Sequence, residues 1–319
     1  MVKSVPSAES KVSGFEADGY LLEYTAAVNP KMAPVPAVTY ASKLHREGVT
    51  RVIPFDLSDK LQSKVQATSP NVCAAYIKIL PQELITTTAK ASAQLFYVIR
   101  GSGTTEGEFG SISWAEGDVF CLPYSGELIH KANADTAIYW VSDEPLLQYL
   151  GAEPVRAHFA PTKYSKAAIM AGIKEVDSAP EARYRNRDAV ILANKQVNHI
   201  ISATPTIWAT VVLMNVAETQ RPHRHNSVAV DIVIAAEKGC YTLLGKQIDE
   251  EGNIINPQRI DWEAGAAFVT PPGLWHGHYN ESGAPAMVMA VQDAGLHENM
   301  RTLDIRFSPA PNPEYKGTK

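Results

Sequence analysis

A chain of 319 residues, 45% hydrophobic and 20% charged, has the composition of a globular protein and is long enough for two cores. A net charge of −5 and a pI near 6.0 give no electrostatic ground for nucleic acid or an anionic membrane as partner. Three cysteines, Cys73, Cys121 and Cys240, form no CxxC pair, which argues against a disulfide framework and for a reducing compartment. The first ten residues, Met1–Ser10, lack an apolar signal core, and no apolar run approaches membrane-spanning length, so the expected location is the cytoplasm.

Residues 1–70 mix polar and apolar positions with several prolines and read as an irregular arm with short helical or strand pieces. From Val72 onward come short β-rich runs: Ala74–Leu80, Gln94–Arg100, Val119–Leu122 and Ala137–Val141. Gly, Pro, Asn and Asp punctuate them, as in antiparallel barrels and sandwiches. Gly101–Gly107 resembles a dinucleotide fingerprint but lacks its third glycine and a following helix, so it reads as a β-turn. Ser142–Leu150, closed by Gly151, reads as a short helix, and Ser165 to Val176 as a second. The polar stretch Asp177 to Asp188 then reads as the interdomain connection.

The β texture returns in Thr206–Met214, Val228–Ile234, Ala266–Val269 and Ala286–Val291. One constant shift superposes Leu95–Val98 on Asp231–Ile234 and Gly103 on Gly239. With an insertion around Asp249 to Ile260, Gly117–Pro123 falls on Gly265–Pro271. Ordered agreement with glycine and proline at matching turns predicts two copies of one β-barrel domain. The expected organisation is an arm (1–70), a first barrel (71–160), a helical connection (161–190) and a second barrel with its tail (191–319).

The second copy contains Pro222-His223-Arg224-His225. Imidazoles two residues apart on an extended segment share a face, and His276 on a later strand can close one side of a metal ion. Neutral imidazole suits Fe(II), Zn, Ni, Mn and Cu, so His223, His225 and His276 select no single metal. The alternative is that these rings face solvent or pack in the barrel mouth. His278, two residues beyond His276, is a candidate acid–base group, a fourth ligand, or a hydrogen-bonded histidine of the barrel rim. Arg221 and Thr219 share the parity of His223, which makes Arg221 the better candidate for a substrate carboxylate and turns Arg224 outward. Trp208, Tyr241 and Trp275 are candidates for an aromatic pocket, although each taken alone reads as ordinary barrel core. His45, His158, His199 and His297 show no partner in sequence.

Gly265, Pro271, Gly273, His276 and Asn280 match the second cupin motif, G-x5-P-x-G-x2-H-x3-N, at every spacing. His223, Arg224 and His225 match the first motif, but Val230 falls near its usual glutamate. The chain thus resembles the cupin superfamily and looks like a bicupin: all-β dominated, with two jelly-roll (double-stranded β-helix) barrels, an irregular N-terminal arm and short connecting helices. The strings His223-Arg-His225 and Trp275-His-Gly-His278-Tyr-Asn-Glu281, with the glutamate missing, are similar to the gentisate and salicylate 1,2-dioxygenase group, as is the helix that follows Trp140.

The chain departs from that group in two ways. The group usually has its iron site in the first barrel, where this sequence has Thr87 and Ala89, with His130 alone near the second motif. The group also often has an arginine shortly after H-x-H, where Asp231 stands here. The resemblance implies Fe(II) held by His223, His225 and His276, a small hydroxylated aromatic carboxylate and dioxygen as partners, ring-cleaving dioxygenase chemistry, and a homo-oligomer. A Zn, Ni or Mn isomerase, lyase or hydrolase, and a non-enzymatic ligand-binding bicupin, are the alternatives that the residues themselves leave open.

Overall fold

Strands rich in β-branched and aromatic residues, the central ones buried on both faces, build two successive antiparallel sandwiches in the computed structural model, which describes residues 19–28, 32–180 and 185–309. The first comprises a sheet ordered Thr162–Tyr164, Val119–Pro123, Ala93–Arg100, Thr136–Ser142, Cys73–Ile79, Arg51–Pro54. A second sheet faces it, ordered Leu84–Thr88, Glu127–Ala132, Ser102–Gly107, Gly110–Ala115. The second sandwich repeats the plan. One sheet runs Thr39–Tyr40, Ala267–Thr270, Ala229–Ala235, Ala286–Gln292, Trp208–Met214, Asp188–Ile191, and the other Gln258–Asp261, Cys240–Gly245, Trp275–Asn280, Thr219–His225, Ile305–Phe307. Residues up to Pro34 form a unit of their own, whose described part carries the 3-10 helix Tyr24–Val28. Val35–Lys319 form the other unit. No helix among the described residues is long and apolar enough to cross a membrane.

The two repeats exchange their leading segments. Thr39–Tyr40, ahead of the first barrel, pairs with Ala267–Thr270 of the second; Thr162–Tyr164, ahead of the second, pairs with Val119–Pro123 of the first. The helices follow the sequence signals. Glu144–Leu150 ends at Gly151 with φ 64°, and Lys166–Ser178 is capped by Ser165, whose hydroxyl accepts from the Ala168 amide. The stretch expected to connect the domains begins inside that helix and ends on the strand Asp188–Ile191; its residues 181–184 lie outside the described chain.

The sequence reading is corrected at Gly101–Gly107. Ser102–Gly107 is a strand, paired with Gly110–Ala115, and only Gly101 turns, at φ 91°. Thr105 opposite His130 and Thr242 opposite His278 set the turn glycine Gly239 (φ 114°) level with Ser102 rather than with Gly103. Gly103 lies within the strand, where a Cβ would come within 2.0 Å of the Lys131 carbonyl oxygen.

One apolar cluster spans both barrels, from Phe55, Tyr76 and Tyr139 to Val211, Val230 and Met289, and a separate cluster fills each barrel. Polar ties cross the same boundary. The Tyr139 hydroxyl donates to the Val230 carbonyl at 2.9 Å. Thr206 donates to Asp143 at 2.8 Å, and Asn71 donates to Asp293 at 2.6 Å. The last two are reciprocal, each joining the start of one repeat to the buried carboxyl at the end of the other.

The barrel interiors differ. In the first, Phe96 lies between Phe120 and Trp140 on the neighbouring strands, with stacked centroids 4.7 and 5.9 Å away. In the second, the same lattice positions hold Asp231, Phe268 and Ala290, because the bulges after Val98 and Val233 coincide; this corrects the sequence superposition, which set Leu95 rather than Phe96 on Asp231. Losing two large rings opens space there. Phe96→Ala should therefore destabilise the protein by about 3–5 kcal/mol, as large-to-small changes in filled cores do, measured as a lower denaturant midpoint. An unchanged midpoint would show that the aromatic stack does not support the first barrel.

Candidate metal centre and cavity

His223 and His225 lie on the strand Thr219–His225, and His276 on its neighbour Trp275–Asn280, with His223 directly opposite His276. The three rings are buried, and one ligand atom from each falls within 4.8 Å of the others. Ring centroids are 4.0 Å apart for His223 and His276 and 4.8 Å for His225 and His276. The turn of the second motif holds this arrangement: Gly273, at φ 79°, donates its amide to the His225 carbonyl at 2.7 Å.

Two of the rings have their tautomer set by the backbone. His225 Nδ1 is 2.8 Å from the Ser227 carbonyl oxygen and His276 Nδ1 is 3.0 Å from that of Leu274. A carbonyl only accepts, so each Nδ1 carries the proton and each Nε2 keeps its lone pair. Burial holds His225 down at about 4, and it lowers His223 and His276 well below the usual imidazole value. Neutral, buried, convergent and oriented imidazoles suit a first-row divalent metal. His278 and Asp231 fall outside the group that can share one ion.

His278 has a different setting. Trp262 Nε1 donates to Thr242 Oγ1 at 2.8 Å, and Thr242 Oγ1 lies 2.9 Å from His278 Nδ1. The hydroxyl can donate to that nitrogen, which puts the imidazole proton on Nε2, on the cavity side. The first barrel repeats the trio with Trp114, Thr105 and His130. That repeat corrects the alignment of His130 with the third ligand. Thr87 pairs with Leu128 as His223 pairs with His276, so the ligand positions hold Thr87, Ala89 and Leu128 in the first barrel. His130 corresponds to His278.

A cavity of about 270 Å³ opens beside the three imidazoles, bounded by Trp208, Val288, Ile305 and Phe307 among others. Of the residues expected to line a pocket, Trp208 does so and Thr219, Tyr241 and Trp275 do not; Arg221 is not in the wall either. The cause on the ligand strand is a β-bulge between Gln220 and His223, which reverses the alternation, so Gln220 is buried and Thr219 and Arg221 turn away. Arg221 donates instead to the Ser308 carbonyl at 3.1 Å. Tyr241 and Trp275 have outward parity. Tyr241 stacks on Tyr279 beneath Arg259, and Trp275 lies under Arg224.

Sequence reasoning missed Arg187. It precedes the edge strand Asp188–Ile191, in the polar stretch taken for a connection, and lies half-buried in the cavity wall. Its guanidinium lies against His223, with NH1 3.2 Å and NH2 3.0 Å from the ring nitrogens, and its Nε has no hydrogen-bond partner among the described residues. Desolvation, and then Arg221, push it down to about 10.

No family model matches the chain. The chain is 25% identical to gentisate 1,2-dioxygenase 1 of Aquipseudomonas alcaligenes over 175 residues, 54% of this chain and 45% of that one. It is 28% identical to a 5-aminosalicylate 1,2-dioxygenase of Comamonas sp over 95 residues, 30% of this chain and 25% of the relative. The chain thus spans less than half the length of these curated relatives. The structure of salicylate 1,2-dioxygenase from Pseudoaminobacter salicylatoxidans, in an adduct with gentisate, superposes with a TM-score of 0.65 at 13% identity, covering 89% of this chain and 88% of that one. Another structure of a salicylate 1,2-dioxygenase, from Pseudaminobacter salicylatoxidans, gives 0.66, also at 13% identity, covering 88% and 90%. The chain has a bicupin fold and is similar to the gentisate and salicylate 1,2-dioxygenase group. The structural match is one of fold, two cupin barrels in one chain.

The buried imidazoles give this bicupin a signed pH response. The unfolded chain binds protons on these rings from about pH 6.5 downward, whereas the folded rings resist, His225 to about 4 and His278 to about 3. Acidification across that window therefore favours the unfolded state. Asp231, raised to about 7 by burial, acts in the opposite sense, as do the buried Asp143 and Asp293, but His45, held down at about 4, and His130, at about 3, add to the histidine side. The thermal midpoint of metal-free protein is expected to fall from pH 6.5 to 4. A flat profile would contradict neutral, buried rings.

Proposed function

We propose that this bicupin is an Fe(II)-dependent dioxygenase that opens the ring of a hydroxylated aromatic acid of the gentisate or salicylate kind. The observation that carries the reading is the convergence of His223, His225 and His276, three buried neutral imidazoles with no carboxylate among them, on one edge of a single-ring-sized cavity. The names of the relatives support the substrate class. Iron bound there would supply the Lewis acidity and redox capacity that join an aromatic acid to dioxygen, both oxygen atoms ending in the product as a ring carbon–carbon bond breaks.

The remaining work falls to the protein. Arg187 offers a guanidinium fork inside a largely apolar wall, matched to a substrate carboxylate. Were His223 to hold a metal, its ring nitrogens would no longer accept from the guanidinium, and the NH1 and NH2 groups that now face them would be available to a substrate carboxylate. Trp208, Val288 and Phe307 hold the ring in place and exclude water. His278, with its proton on Nε2, donates to a substrate oxygen and can return the proton as the ring opens.

Protein purified without chelators should contain close to one iron per chain and consume one dioxygen per gentisate or salicylate transformed. His223→Ala with His276→Ala should reduce the metal content to a small fraction of wild type. Stoichiometric zinc, nickel or manganese without oxygen uptake would overturn the reading, as would unchanged metal in the double variant. Arg187→Ala should raise KM for the acid about 10- to 100-fold, the loss expected for a charge-assisted hydrogen-bonded pair. An unchanged KM would remove Arg187 from substrate binding.

A further inference from the structure

Asp231 is the one acidic residue in the cavity wall among the described residues. It is 3% exposed, and the only hydrogen bond of its carboxyl among them comes from the Thr270 hydroxyl, 2.6 Å from Oδ2. Among the described residues no cation is paired with it, although a buried carboxyl without one is costly. Barrel folding does not require it: the corresponding positions in the first barrel are Phe96 for Asp231 and Leu122 for Thr270, and that barrel closes around an apolar interior. The cost is therefore borne for something other than the fold.

Its placement suggests the purpose. Arg187 adjoins the edge strand Asp188–Ile191, and Asp231 lies on Ala229–Ala235, three strands away in the same sheet. On the strand register Ile191 is level with Asp231, so Arg187 is displaced by about 13 Å along the strands as well as roughly 14 Å across them, at about 4.8 Å per strand, and the two side chains reach toward each other into one cavity. The space between them suits a single ring with an anionic group at one end and a hydrogen-bond donor at the other.

We propose that Asp231 is a specificity-determining residue whose carboxyl accepts a hydrogen bond from a ring substituent, so that the cavity selects aromatic acids carrying an amino or hydroxyl group remote from the carboxylate. The inference rests on the aromatic-acid reading above. A site built around an acceptor rejects an isostere that lacks the donor, because the acceptor is then left buried and unsatisfied.

Anaerobic calorimetric titration of the metal-loaded protein tests it, with gentisate and 5-aminosalicylate as donor-bearing ligands and 5-methylsalicylate as the donor-free one. Wild type should bind the donor-bearing acids at least about tenfold more tightly than the methyl analogue. Asp231→Ala should bring that ratio to within about twofold of unity while still binding 5-methylsalicylate, which also shows an intact cavity. Asp231→Asn, which keeps the volume and one acceptor oxygen, should fall between the two and decides the matter if the alanine variant does not fold. No donor preference in wild type, or the same preference in both variants, overturns the role of Asp231. Acids that bind with this preference yet consume no oxygen on exposure to air overturn the dioxygenase reading alone, and failure of every acid to bind overturns both.

Discussion

The pairing of His223 with His276 across two antiparallel strands is the contact on which the rest of the site depends. It sets two imidazoles side by side, and His225 joins them because alternate residues of a strand share a face. The bulge before His223 is what puts these residues on the inner face. In the first barrel the equivalent strands pair without interruption, Ile85 opposite His130 and Thr87 opposite Leu128. In the second, one extra residue separates Gln220, opposite His278, from His223, opposite His276. Local strand geometry therefore decides both the ligand set and the exclusion of Arg221 and Thr219 from the cavity.

The two barrels form an internal comparison. Both keep a tryptophan, a threonine and a histidine hydrogen-bonded in line, so that network belongs to the fold and orients His278 whatever its chemistry. They differ in what fills the middle. A stack of Phe96, Phe120 and Trp140 makes one interior solid, whereas Asp231 and Ala290 leave the other hollow. Packed interiors have almost no spare volume, so a cavity has to be made by removing side chains, and here the removed rings are visible in the sister domain.

The repeats are also tied to each other. Each leading segment adds a strand to the opposite barrel, each terminal carboxyl, Asp143 or Asp293, is bonded by a residue from the start of the other repeat, and one apolar cluster runs across the boundary. A barrel without metal ligands thus still has a structural role: it supplies surface that the hollow barrel packs against.

Much of this was legible in the amino-acid order. Turn glycines, strand composition and the spacing of Gly265, Pro271, Gly273, His276 and Asn280 identified two β-barrels, and the H-x-H string located the three imidazoles, because strand periodicity and turn conformation are properties of neighbouring residues. What depends on pairing between distant segments was not. The bulge that reverses the parity of Arg221, the register that matches His130 with His278, and the entry of Arg187 into the cavity from a stretch that reads as linker arise only when strands far apart in sequence come together. The same holds for Asp231, which in sequence is a lone acid beside an expected ligand position. Only the closed barrel, by removing water and leaving Thr270 as its partner, turns it into a buried acceptor facing the cavity.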